Sequence, residues 1–410
     1  MAAVTRHRIV FDERVLLFAM FGVTSLSGIV FIEPAPYDIT LLGVGTLALL
    51  FGLRIPSKLA PLIFCFMLII VFGFVASLYA SQITEAALHI VTTTFLMVGT
   101  IILAAFIAAM PMKAINVVIN GFIVAALTAT LLGFVGYFNL LPGAFDIFTL
   151  YGRLSGTFKD PNVFGPFLIP PLLYLIFQLT TRPGKYLPVQ LLAAFILTAG
   201  IYLSFSRGAW GNLVVSGLVL MPMILMVLPN NLSRLRLLFF ALLALVAFSL
   251  LLLALLGSSS ISDMFSQRAQ LTQVYDAGGR GRFDGQKLAL DWVMANPLGV
   301  GWGEFSRFWG EQAHNVYISQ FMFSGWVGGF GYIALVVMTL IRGFVFIRYN
   351  LAIRPYLMVF LAAFCGLVFQ GFFIDSDHWR HFYLVIAVIW GLTSAPWTSQ
   401  EIERNPRRLH

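Results

Sequence analysis

Residues 60–80 read APLIFCFMLIIVFGFVASLYA, twenty-one positions from Ala60 to Ala80 without one charged side chain. As a helix rising 1.5 Å per residue, such a run matches the ~30 Å hydrocarbon core of a bilayer. The pattern recurs outward in both directions, and twelve candidate spans follow: 14–31, 39–53, 60–80, 88–109, 113–137, 161–180, 187–204, 208–228, 235–256, 315–341, 355–373 and 379–394. The 410 residues are 60% hydrophobic and only 10% charged, with a mean hydropathy of +0.91. These values exclude the two or three soluble domains that length alone implies. The expected fold is all-α: a polytopic integral membrane protein of about twelve transmembrane helices, one membrane domain over 1–410 with one large outer loop at 257–314.

Charge placement gives the expected orientation. With an inside N-terminus and twelve crossings, the inner segments hold 16 of the 25 basic residues, from Arg6, Arg8 and Arg14 to Arg404, Arg407 and Arg408. Short outer segments keep only Arg153, Lys159, Arg207 and Arg380, as the positive-inside rule requires. The net charge of +8 is therefore a topological signal. No aromatic-basic ribbon is present to carry a nucleic acid. No small-residue cleavage pattern follows Arg6, Arg8 and Arg14, so the first helix reads as a retained anchor. Cys65 and Cys365 stand singly inside predicted helices, which indicates neither a disulfide framework nor a thiolate metal site.

Four polar segments are expected on the outer side. The first runs Tyr151-Gly152-Arg153-Leu154-Ser155-Gly156-Thr157-Phe158-Lys159-Asp160-Pro161-Asn162, with Asp160 and Pro161 suited to cap and open a helix. The second is the tight turn Ser204-Phe205-Ser206-Arg207-Gly208. The third is the large loop, which carries Gly278-Gly279-Arg280-Gly281-Arg282 and a predicted helix over 282–295. Phe283, Leu290, Val293 and Met294 of that helix suit one interfacial face. The loop closes through Asn296-Pro297-Leu298-Gly299-Val300-Gly301 and ends on Ala313-His314-Asn315-Val316-Tyr317. The fourth is Asp375-Ser376-Asp377-His378-Trp379-Arg380-His381.

Guanidinium groups stay charged and present planar forks that suit phosphate or diphosphate, and Arg153, Arg207, Arg280 and Arg282 lie on the side depleted of such residues. The plainer alternative is that each snorkels to headgroups or pairs with an outer acid. Arg207 is the strongest exception, because its short turn leaves it little freedom. Neutral imidazole is the usual base near neutral pH, and His314 opens a helix dense in glycine; Asn315 beside it is placed to hold a sugar hydroxyl or orient the ring. Gly325, Gly328, Gly329 and Gly331 read first as helix packing. Asp375, Asp377, His378 and His381 match no standard metal spacing and read as surface polarity, so no metal and no cofactor is expected.

Taken together, the chain resembles the O-antigen ligase and O-antigen polymerase superfamily. His314-Asn315, nine residues, then Gly325-Trp326-Val327-Gly328 is similar to its histidine-amide-x9-glycine-x-x-glycine pattern; Pro297-Leu298-Gly299-Val300-Gly301, Gly281-Arg282, Ser206-Arg207-Gly208 and the Arg153 segment resemble its other motifs. The resemblance implies a metal-independent, inverting membrane glycosyltransferase whose donor is an undecaprenyl-diphosphate-linked glycan. It assigns the diphosphate to Arg207 and Arg282, with Arg153 and Arg280 as further candidates, and the base role to His314. Asn315, Asn162 and Lys159 become substrate-positioning residues. The acceptor is lipid A–core for a ligase, the reading favoured by the ungapped histidine motif, or a second lipid-linked glycan for a polymerase. The expected location is the bacterial inner membrane, among its lipids, with the site on the periplasmic face. The competing class is a polysaccharide-lipid transporter or flippase, which calls for inverted repeats and midplane charges; His89 is the nearest such group and lies near a span end.

Overall fold

The computed structural model describes residues 12–181, 184–228, 281–349 and 352–397, with a few isolated positions between 231 and 239. The expected span 235–256, the loop through residue 280 and hence Arg280 lie outside the described residues. Elsewhere the chain is almost wholly helical: α1 Glu13–Ser25, α2 Pro36–Leu50, α3 Ala60–Ser77, α4 Ile83–Ala109, α5 Pro111–Tyr137, α6 Ala144–Phe148, α7 Pro161–Phe167, α8 Ile169–Thr181, α9 Leu187–Leu203, α10 Arg207–Val227, α11 Arg282–Ala295, α12 Glu304–Trp309, α13 Val316–Phe346, α14 Arg354–Gln370 and α15 Arg380–Ser394. A two-stranded hairpin, β1 Thr149–Leu150 with β2 Arg153–Leu154, interrupts them. Each expected span that falls among the described residues coincides with a helix or a consecutive helix pair.

Among the described residues, six helical stretches are long and apolar enough to cross a membrane: Ser57–Ser77, Ile83–Ala109, Pro111–Tyr137, Pro161–Thr181, Arg207–Val227 and Val316–Phe346. Pro36–Leu50, Leu187–Leu203 and Arg354–Gln370 are apolar but shorter. Large apolar side chains point outward from several of them, Phe64 at 64% exposure and Leu218 at 69% among them. Lipid tails cover such a surface without penalty, so this is a multi-pass membrane protein.

The chain divides into two compact units. The first comprises residues 1–125, 285–364 and 371–410. In it α13 packs along α3, and α15 along α4. Helix α15 is buried on every side from His381 to Ser394, as an all-round apolar helix must be. Missing side chains allow the close approaches: a Cβ on Gly391 would meet the Ala104 carbonyl at 2.8 Å, and one on Gly45 would strike Ile102. Without a hydrophobic force between helices in lipid, such close backbone packing is what holds them. Arg342 of α13 donates to the Thr393 and Ser394 groups that end α15 and lies over the Trp390 ring.

The second unit comprises residues 126–284 and 365–370. Here α7 and α8 pack on α9 and α10, and a Cβ on Gly165 of α7 would meet Ala209 and Ser204. Asp160 caps α7 by accepting from the Asn162 N–H at 2.8 Å, and Pro161 opens it, as the sequence predicts.

Candidate active site

In the second unit the Arg153 and Arg207 motifs meet at the start of α10. Tyr151 and Gly152 take φ values of +52° and +70°, the pair of left-handed residues that a two-residue hairpin turn demands. The turn delivers Arg153, only 7% exposed, to the α9–α10 corner. Its Nε donates to the Ser204 carbonyl at 2.9 Å and its fork to Asn162 Oδ1 at 2.8 Å. Thus Arg153 and Asn162 join the segment that bears Arg207. Ser206 caps α10 by accepting from the Ala209 N–H. Arg207 follows as the first helical residue and is partly buried. A cation there opposes the helix dipole, so the guanidinium and the N-terminal N–H groups form one electropositive end. Gly208 leaves room for Gln370: a Cβ would lie 2.8 Å from its amide nitrogen, and its Oε1 accepts from Asn212. Lys159 is exposed at the next turn, and Arg282 opens α11.

In the first unit His314 sits in the left-handed region, at φ +52°. For a non-glycine residue this conformation is uncommon and persists only when its surroundings hold it. Here they do. Asp375 Oδ2 accepts from the His314 N–H at 3.1 Å, and Asp375 Oδ1 from the Ser319 hydroxyl at 2.5 Å. The His314 carbonyl accepts from Gln286 Nε2 at 3.3 Å. Asn315 caps α13: its Oδ1 accepts from the Tyr317 and Ile318 N–H groups. That oxygen is committed to the helix end, so the amide nitrogen is the part of Asn315 left for a hydroxyl. The imidazole is about a third exposed, with Nε2 3.5 Å from Glu311. Burial, then the charge of Asp377, raise the Asp375 carboxyl to about 7, against the lowering by Ser319 and the His314 and Asn315 N–H groups.

The glycine motifs explain how this corner is built. Helix α13 is broken at Ser324 (φ −135°, ψ 17°) and Gly325 (φ 63°, ψ −172°). Residues 297–301 lie in the break. The Met322 carbonyl, released by it, accepts from the Val300 and Gly301 N–H groups, and the Trp326 N–H donates to the Pro297 carbonyl. A Cβ on Gly299 would lie 2.7 Å from the Gly325 nitrogen, and one on Gly325 2.7 Å from Pro297 and Leu298 backbone atoms. Trp326 Nε1 then reaches the Val293 carbonyl of α11 at 2.9 Å. Gly331 meets Leu68 of α3, as the packing reading expects, whereas Gly325 serves the break itself. The interfacial face expected of α11 needs correction. Gly285, Ala289 and Val293 are buried, the last two in a cluster with Phe305 and Ala313, because their four-residue spacing faces that cluster. Phe283, Leu290 and Met294 stay exposed.

The fourth polar segment divides. Asp375 turns to His314 and Ser319, and His381 is buried in α15. Asp377 meets His89 of α4, 288 positions earlier in the chain, with Nε2 2.9 Å from Asp377 Oδ2. Burial raises the Asp377 carboxyl, but the His378 and His89 imidazoles beside it outweigh that and bring it to about 2. Neither the role of Asp375 nor the approach of His89 has a local signature in the sequence. Only its being an ionisable residue near the end of an apolar run marks His89 out.

Residues 192–333 match the family model described as O-antigen ligase. The match covers 142 of the 410 residues, and over them the chain is similar to that family. No curated protein matches the chain. The ligase-family segment contains Arg207, Arg280, Arg282, His314 and Asn315, while Arg153, Lys159 and Asn162 precede it. It also contains the α13 break and the 297–301 insert, whereas Asp375, which accepts from the His314 N–H, follows it.

Proposed function

We propose that the protein transfers a glycan from undecaprenyl diphosphate to a sugar hydroxyl of lipid A–core, at the periplasmic face of the bacterial inner membrane. The observation that carries the reading is the family match over 192–333, which spans Arg207, Arg282 and His314 together. Arg207 and Arg282 bind the diphosphate and balance the charge that grows on it as the anomeric C–O bond breaks. The His314 imidazole takes the acceptor proton as the hydroxyl oxygen attacks. Direct displacement inverts the anomeric centre, with no metal taking part in that step. Arg153 serves best as the tether of the Arg207 turn, given its bonds to Ser204 and Asn162; Lys159 and Arg280 remain outer cations for the same donor. The full layout is twelve crossings with both termini inside and 257–314 outside.

The alternative acceptor is a second lipid-linked repeat, which makes the protein a polymerase with the same donor chemistry. Purified protein given lipid-linked glycan and either acceptor distinguishes them. Product on lipid A–core alone is expected. Product on the lipid-linked repeat alone assigns polymerase. Movement of intact donor across a vesicle, with no product on either acceptor, returns the transporter class.

A further inference from the structure

The first unit holds a second polar centre. His89, Asp377 and His378 offer one ligand atom each, all within 4.8 Å of one another. His89 is 8% exposed at its side chain and Asp377 7%, so both stand outside bulk water. His89 Nε2 approaches Asp377 Oδ2 to 2.9 Å, yet that buried oxygen has no aligned hydrogen-bond donor. His378 Nε2 is 4.0 Å from the same oxygen, with its side chain about a third exposed. A buried carboxylate oxygen without a donor is costly. Two stacked imidazoles, with ring centroids 4.0 Å apart, and a buried carboxylate whose ligand atoms lie within 4.8 Å of one another are a donor set for a borderline divalent cation.

We propose that His89, Asp377 and His378 bind a zinc ion that clamps α4 to the α14–α15 turn. Zinc takes His nitrogens and carboxylate oxygens at about 2.0–2.2 Å, so its ligand atoms stand roughly 3.3–3.5 Å apart. The His89–Asp377 approach of 2.9 Å is slightly tighter than that, so the ion spreads that pair. His378 supplies the larger movement: its Nε2 now meets the Thr93 hydroxyl at 2.9 Å, and its ring must turn off that partner. The imidazole pair selects against calcium and magnesium, which prefer all-oxygen sets. Around the centre the Trp302 ring stacks on His89 at 5.3 Å and Phe323 meets it edge-on at 5.2 Å. Phe323 precedes the α13 break and Trp302 follows the 297–301 insert that fills it, so the ion steadies the support of the His314 corner without touching the reaction.

The test uses the full chain purified in detergent, stripped with chelator and returned to zinc alone, then cobalt alone. One zinc per chain that survives dialysis, a rise in melting temperature on zinc addition, and visible cobalt absorption are the expected results. His89→Ala, Asp377→Asn and His378→Ala each lose all three, while Asp375→Asn keeps them. Should His89→Ala fail to fold, His378→Ala decides, since its side chain is the exposed arm. Wild-type protein that binds no zinc, or His378→Ala that binds it as tightly as wild type, overturns the site and leaves a His89–Asp377 contact only.

Discussion

Arg153 and Arg207 illustrate how two residues of one chemistry part by surroundings. Arg153 is buried and spends its fork on the Ser204 carbonyl and Asn162, whereas Arg207 stands on the first turn of α10, where dipole and guanidinium both attract an anion. Arg207→Ala is expected to abolish glycan transfer while the protein still folds and inserts. Arg207→Lys should rescue poorly, because the planar fork is lost. Full turnover in the alanine variant removes Arg207 from the site. For His314→Ala, loss of the base should lower turnover by about 10²–10⁴-fold, with donor binding retained. Unchanged turnover there leaves the arginines as the only reacting groups.

At the scale of elements, the decisive device is the break in α13. A helix interrupted in an apolar span exposes carbonyls and N–H groups that must find partners. Here the 297–301 segment supplies them, through Met322, Pro297 and Trp326. Gly299, at φ +82° and hard against the Gly325 nitrogen, is the residue this fit tolerates least. Gly299→Val should destabilise the protein by about 1–3 kcal/mol, the usual cost of overpacking, plus the strain of a β-branched residue at positive φ. A lowered melting temperature and lost turnover in detergent are the expected readouts. Gly217→Ala on α10, with open space around the new methyl, should stay within about ±0.5 kcal/mol of wild type. Equal effects of the two substitutions would show that the insert contributes nothing.

For the whole molecule, orientation is the property every chemical assignment depends on. An impermeant thiol reagent applied from outside should label a cysteine placed at Glu311, which is exposed before His314, and none placed at Ser57 before α3. The reverse pattern moves the reaction to the cytoplasmic face and withdraws the lipid A–core assignment.

Helix positions were legible locally, because an apolar run of bilayer length has one low-energy answer in lipid. The runs around 60–80, 88–109 and 113–137 return as α3, α4 and α5. The caps at Asp160 and Ser206 were equally plain, since a cap is decided by residues within one turn. Three things lay beyond reach. That Asp375 holds His314 depends on a contact 61 positions apart, and the approach of His89 to Asp377 on one 288 positions apart. The depth of the 297–301 insert depends on where α13 chooses to break. Periodicity and spacing report which face a residue occupies on its own element. Which partner meets that face is set by the packing of whole helices, and only the tertiary structure decides it.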